Sequence, residues 1–183
     1  MKIQMILAGV AASAVLPAVA QESGFYGEAG LAVPVFDVAE RDVSPVTVQA
    51  RGGYMASEHF GFELEAATGI ADAEESDGAS SVSVEINHMI AGYAVARWPV
   101  NEKLGLVGRV GYQQIDVSIE GRSPGDPVFR QSGDGDGVVF GGGVTYDLGG
   151  FDMRADYTIA GEASPFPSSD KIGTFSLGLV KRF

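Results

Sequence analysis

The stretch Phe175-Ser-Leu-Gly-Leu-Val-Lys-Arg-Phe183 closes the chain. Apolar or long side chains fall at Phe175, Leu177, Leu179, Lys181 and Phe183, with Ser176 and Gly178 on the opposite face. That is the period of two of a β-strand. It ends on an aromatic ring. The question it poses is whether the rest of the chain is also made of strands, and which of their faces turns inward.

At the other end, Met1-Lys2 is a short basic start and Ile3 to Val15 is mostly apolar. Small residues at Ala18 and Ala20 then offer a cleavage site before Gln21. This pattern predicts a secretory signal peptide over residues 1–20, cut between Ala20 and Gln21. Removing those 20 of the 183 residues leaves 163, residues 21–183, the size of one domain. With no cysteine, an exported chain cannot rely on disulfides. A closed sheet is the expected source of stability. The formal net charge is −12, and −13 once Lys2 is gone. That balance argues against nucleic acid as a partner, because phosphate binding needs basic patches. Glycine supplies 26 of the 183 residues, which suits strongly bent strands around a narrow interior. Outside the leader no apolar run reaches the roughly 18 residues of a membrane helix, so any membrane crossing must use strands.

Eight alternating segments are predicted: Phe25 to Val33, Val46 to Met55, Phe60 to Ile70, Val82 to Arg97, Leu104 to Ile119, Val138 to Leu148, Phe151 to Ala160, and Ile172 to Phe183. Their connections alternate in length. Ala56 to His59, Trp98 to Lys103 and Gly149-Gly150 are short. Pro34 to Pro45, Ala71 to Ser81, Glu120 to Gly137 and Gly161 to Lys171 are long. In an up-and-down sheet this puts the tight turns at one end and the long loops at the other, the asymmetry of outer-membrane barrels. An even strand count returns both termini to the short-turn end.

The faces are clearest in three segments. Phe151, Met153, Ala155, Tyr157 and Ile159 oppose Asp152, Arg154, Asp156 and Thr158. Phe60, Phe62, Leu64 and Ala66 oppose Gly61, Glu63, Glu65 and Ala67. Val46, Val48, Ala50 and Tyr54 oppose Thr47, Gln49, Arg51 and Gly53. A soluble barrel turns the apolar face in, and a membrane barrel turns it out. The leader, the terminal ring and the alternating loops favour the membrane form. Its girdle at the short-turn end is expected from Phe25, Tyr26, Tyr54, Phe60, Tyr93, Trp98, Tyr146, Phe151 and Phe183. In the fourth segment, Val82, Val84, Ile86 and Ile90 share one phase while Tyr93 and Val95 share the other. The fifth shifts likewise from Tyr112 to Ile115 and Val117. Either a β-bulge in each restores the facing, or the outer halves project above the membrane.

With the polar face inside, the lumen is expected to hold Glu28, Glu63, Glu65, Asp152 and Asp156 together with Arg51, Arg109 and Arg154. Charges in so narrow a space must pair. Eight strands enclose an interior just filled by side chains, so a plugged lumen is expected rather than a channel. Catalytic patterns are thin. His59 falls in a short turn, and His88 shares a face with Ile86 and Ile90, with no serine two residues away. Ser132-Gly-Asp134-Gly-Asp136-Gly reads as a glycine-rich loop tip that lacks the ligand set of a calcium loop. The acidic run Asp72 to Asp77 reads as a solvated loop, and Gly141-Gly-Gly143 has no following helix to make a phosphate loop. Neither metal nor cofactor is called for.

Several motifs carry a family resemblance: Gly24-Phe-Tyr-Gly-Glu-Ala-Gly30, Gly61-Phe-Glu-Leu-Glu65, Gly108-Arg-Val-Gly-Tyr112, Gly141-Gly-Gly-Val-Thr-Tyr146 and the last strand. Through them the mature chain resembles the OmpA-like, porin-family outer-membrane β-barrels, although Lys181 stands where those proteins more often carry an aromatic. The resemblance implies an all-β, eight-stranded antiparallel up-and-down transmembrane barrel in a Gram-negative outer membrane. It implies contact with outer-membrane lipid and lipopolysaccharide, and with the barrel assembly machinery, for which Phe183 is the signal. It also implies a non-catalytic envelope role through four extracellular loops, among which Pro165-Phe-Pro167 is the best candidate to touch a ligand. No cell-wall-binding domain is expected after Phe183. The alternatives are a narrow porin-like channel, a lipid-modifying barrel enzyme, and a soluble barrel shaped like a lipocalin.

Overall fold

The computed structural model describes residues 24–38, 41–71, 73–77, 80–122, 128–161 and 171–183. The expected leader with Ala20 and Gln21, and the Pro165–Pro167 segment, lie outside these residues. So do the side chains of the acidic 72–77 run.

Among the described residues there are ten strands: β1 (Gly24–Val38), β2 (Arg41–Val43), β3 (Val46–Met55), β4 (Phe60–Ala71), β5 (Ala73–Asp77), β6 (Ser80–Pro99), β7 (Leu104–Arg122), β8 (Phe129–Asp147), β9 (Asp152–Gly161) and β10 (Lys171–Arg182). Eight of them form one antiparallel circuit, each paired with its neighbour in sequence. β10 returns to β1 from Tyr26↔Arg182 to Val35↔Gly173 and closes the barrel. The two short strands extend the wall beyond it: β2 folds back on β1, and β5 continues the line of β4 along β6.

The tight turns sit where the sequence places them. Ala56 N–H and Ser57 N–H donate to Phe60 O, and Val100 N–H donates to Leu104 O. The third turn needs left-handed backbone at Gly149 (φ +84°) and Gly150 (φ +148°), which glycine tolerates without cost from a Cβ. Phe183 N–H donates to Phe25 O, so the chain ends beside its first strand.

The long connections differ from expectation. Much of Pro34–Pro45, Ala71–Ser81 and Glu120–Gly137 is strand, and β6, β7 and β8 run far beyond the barrel's shorter strands. Glycine explains the miss. Inward positions Gly133, Gly135 and Gly137 of β8 carry no hydropathy signal, so the alternation is invisible there. Ser132 to Gly137 is therefore wall, not loop tip, with Asp134 and Asp136 exposed on its outer side.

A single β-bulge, not one in each strand, resolves the phase conflict. It lies in β6 between Ile86 and His88, where Ile86 pairs with Val117 and His88 with Asp116. Asn87 is the extra residue, and its side chain donates to Asp116 Oδ1 and Ser118 Oγ. Val84 and Ile86 above the bulge and Met89, Ala91, Tyr93 and Val95 below it are thereby all buried. His88 leaves the face of Ile86 and turns outward with Ile90. β7 needs no bulge: Val107, Arg109, Gln113, Ile115 and Val117 are buried in one unbroken phase.

Candidate functional site: a charged lumen and a raised wall

In the lower barrel the outer surface is apolar. Phe62 is 64% exposed, Leu106 46% and Tyr157 52%, with Phe25, Phe60, Trp98, Phe151 and Phe183 exposed towards the short-turn end. Tyr54 joins Phe25 in a tilted ring pair 4.9 Å apart. Two members of the expected girdle are elsewhere. Tyr93 is buried in the lumen under the Arg109 guanidinium, 4.6 Å from its ring centre. Tyr26 also turns inward, and its hydroxyl donates to Glu63 at 2.8 Å. Tyr26 lies in phase with Glu28 on its own strand, whereas the in-phase neighbours of Tyr93 are Ala91 and Val95.

The interior holds a layer of buried charge. Arg51 uses all five of its N–H donors. Nε reaches Glu65 at 2.6 Å, one terminal nitrogen reaches Glu28 and Asp156 at 2.7 Å each, and the other reaches Ser176 at 3.0 Å and Gln49 at 3.3 Å. Arg109 donates to Glu63 at 3.1 Å and Glu65 at 3.0 Å. Arg154 donates to Glu63 at 2.5 Å and lies 2.9 Å from Asp156. Seven of the eight sequence-selected lumen residues thus share one network. Asp152 stands apart at the short-turn mouth, where Arg182 donates to it. Desolvating so many charges is costly, and only mutual pairing in good geometry offsets it. The sequence places Gln49 and Ser176 on the polar faces without assigning them to the network, and it puts Tyr26 and Tyr93 in the girdle instead of the lumen.

Small residues make room for this layer. A Cβ on Gly178 would sit 2.4 Å from a Glu28 oxygen, and one on Gly143 would sit 2.3 Å from Asp156 Oδ1 and from Ala155 O.

Apolar side chains bound the charges on both sides. Ala67, Ile86, Met89, Ile115, Val117, Val139 and Ala160 belong to one buried cluster towards the long-loop end. Met55, Val95, Val107 and Val180 line the lumen towards the turns, around a cavity of about 20 Å³. That is room for roughly one water. Among the described residues, no group of His, Asp and Glu is arranged to hold a metal ion. His59 lies in its short turn with Nδ1 3.1 Å from Arg97 O, and His88 lies on the outer face opposite Asp116.

Above the membrane band the polarity of the two faces reverses. The outer rows change from Ile90, Tyr112 and Val138 to His88, Gln114 and Asp136, while the inner rows become apolar. Higher still, Glu120 accepts hydrogen bonds from exposed Arg122 and Arg130. These hold its carboxyl below the usual carboxylate range. β8 pairs with β9 only from Val139 downward, so among the described residues Phe129 to Val138 bond to β7 alone. Among the described residues, that leaves one long strand edge of β8 without a second partner.

An apolar belt around an ion-paired interior, with strands closed on themselves, defines a membrane-spanning β-barrel. A family model for the outer membrane protein beta-barrel domain matches residues 5–183, and the chain belongs to that family. Its setting is therefore the outer membrane. The fold is similar to that of Ail, the attachment invasion locus protein of Yersinia pestis, solved with the heparin analogue sucrose octasulfate (18% identity, 89% of this chain and 100% of that chain, TM-score 0.61). It is also similar to neisserial surface protein A (15% identity, 89% and 100%, TM-score 0.62). A major outer membrane protein from Thermus thermophilus is similar at 11% identity, covering 87% and 99%, with a TM-score of 0.51. No sequence among curated proteins matches.

Proposed function

We propose that this protein is a sealed, non-catalytic barrel whose work is surface interaction through the wall and loops raised above the outer membrane. The observation that carries this reading is the edge of β8 from Phe129 to Val138. It bears no proline or lysine, its charges are limited to Arg130, Asp134 and Asp136, and its inward positions are mostly glycine. Such an edge suits an extended polypeptide that adds as a further strand. The charge of the wall selects among partners. Asp116, Asp134 and Asp136 face outward, so a basic or neutral strand fits better than the sulfated ligand seen on Ail. Lipopolysaccharide surrounds the upper band in this reading, and Pro165–Pro167, outside the described residues, are a further candidate to touch a ligand.

Residues 1–20 act in this reading as a leader cleaved between Ala20 and Gln21. Phe183, exposed at the end of the closing strand, is the signal read by the assembly machinery. The charged layer, Asp152 included, serves stability and sealing. The apolar side chains on either side of it weigh against a channel, and the lack of a serine two residues from His88 weighs against a lipid-modifying enzyme.

The test is a titration of the nanodisc-embedded protein with an alternating Lys-Val peptide, followed by amide exchange. Slowed exchange across Phe129–Val138, absent with heparin, is the expected result. Unchanged edge amides with both probes would discard the reading. Discrete single-channel currents in planar bilayers would favour the channel instead.

A further inference from the structure

The charge layer does not balance. Among the described residues it sets the carboxyl groups of Glu28, Glu63, Glu65 and Asp156 against the guanidiniums of Arg51, Arg109 and Arg154, and none of the seven residues is more than 5% exposed. Four ionised acids against three bases would leave one net negative charge at the depth of the hydrocarbon. Asp152 and Arg182 pair with each other at the short-turn mouth. Arg97 stands partly exposed at that mouth, where water weakens its pull on the layer. The hydrogen bonds show where the excess falls. Glu63 accepts from Arg109 at one oxygen and from Tyr26 and Arg154 at the other. Glu65 Oε2 accepts from Arg51 and Arg109. Asp156 accepts from Arg51 at one oxygen and from Arg154 at the other. Glu28 Oε1 accepts from Arg51 at 2.7 Å, but Oε2 is buried with no hydrogen bond. Arg154 Nη1 lies 3.4 Å from it and is committed to Glu63 at 2.5 Å. The layer's remaining donors, Gln49 Nε2, Arg109 Nε and Arg154 Nη2, do not bond to it either.

We infer that the layer binds one proton, and that Glu28 carries it on Oε2. The proton cancels the excess charge, and a neutral carboxyl costs far less to bury than a carboxylate. Oε1 stays free to accept from Arg51. The neighbours of Glu28 supply no further cation to offset a charge there. Arg51 of β3 and Arg154 of β9 are shared with Glu63, Glu65 and Asp156. Tyr26 precedes Glu28 on the same face of β1 and donates to Glu63. The β10 residues beside it, Ser176 and Gly178, carry no charge. A metal cation in place of the proton would need several oxygen ligands, and among the described residues no acidic group is arranged to hold one. The interior thus sits in the membrane as a neutral unit, with the acid of β1 as its balancing member.

The experiment reads the carbon-13 shifts of the side-chain carboxyls in the unaltered, nanodisc-embedded protein at neutral pH. Glu28 is expected in the carboxylic-acid range, and Glu63, Glu65 and Asp156 in the carboxylate range. A carboxylate shift at Glu28 overturns the inference, and so does an acid shift at one of the other three in its place. A Glu28 shift that moves with added sodium or potassium at constant pH also overturns it, because a metal cation would then be the balancing charge. Glu28→Gln provides a second measurement, since glutamine copies the shape and neutrality of the protonated acid. Heat-modifiable gel migration verifies that the variant folds. Its folded-to-unfolded ratio in urea titration from lipid vesicles is expected to stay within about tenfold of the wild type. A larger loss means that a paired carboxylate was removed, and overturns the inference.

Discussion

The membrane-embedded half of the barrel and the wall raised above it are built from the same strands with opposite polarity. Below Ile90 on β6, Tyr112 on β7 and Val138 on β8, apolar side chains face out and ion pairs fill the inside. Above them, Ile86, Ile115 and Val117 are buried while Asp116, Asp134 and Asp136 face out. The lower half is folded by lipid outside and electrostatics inside. The upper half obeys the rule of water-soluble sheets, with hydrophobic burial as its main source of stability. The boundary is therefore a change of solvent recorded in side chains, and β7 crosses it with no break in its geometry.

The largest expected effect breaks the lower half. Arg51→Met removes the one side chain that joins Glu28, Glu65 and Asp156, leaving the buried carboxyl groups of Glu28, Glu63, Glu65 and Asp156 to the guanidiniums of Arg109 and Arg154 alone. A loss of about 3–5 kcal/mol is expected in urea unfolding from lipid vesicles. Ile115→Ala strikes the upper burial instead and should cost about 2–5 kcal/mol, read by the same unfolding experiment. Protease nicking of the wall should then rise before the barrel itself opens. Gly143→Ala crowds the charge layer against Asp156 and should cost about 1–3 kcal/mol while leaving wall exchange rates unchanged.

Smaller still is the effect of acid on the wall. Glu120 is held below its ordinary value of 4.5 by Arg130 and Arg122. Its contribution is present above that value and disappears as pH falls through the lower folded-state value. Amide exchange at Glu120 and Arg130 should quicken there, and Glu120→Gln should remove the pH dependence.

The two halves are unequally legible in the sequence. Segments such as β4 and β9 alternate large apolar with charged residues, and their facing follows directly from the period of two. The wall alternates glycine with aspartate or serine in β8, which looks the same as a loop. In β6 the bulge at Asn87 shifts the phase by one residue, and no residue type announces it. Tyr93 escapes a local reading because an aromatic near a membrane boundary suits a girdle as well as a cation's lumen partner. Pairings such as Arg51 with Asp156 depend on barrel closure, which no local pattern encodes.

Arg51 and Asp156 stand 105 positions apart in the chain, and their bond crosses the lumen. β3 therefore reaches the bilayer carrying a guanidinium whose full set of acceptors arrives only with β9 and β10. A half-inserted chain holds Arg51 with Glu28 and Glu65 but without Asp156 and Ser176, a charge layer still incomplete in hydrocarbon, so arrest at that stage is penalised. Biogenesis is thereby driven towards an all-or-none event, in which the last hairpin to enter latches the first.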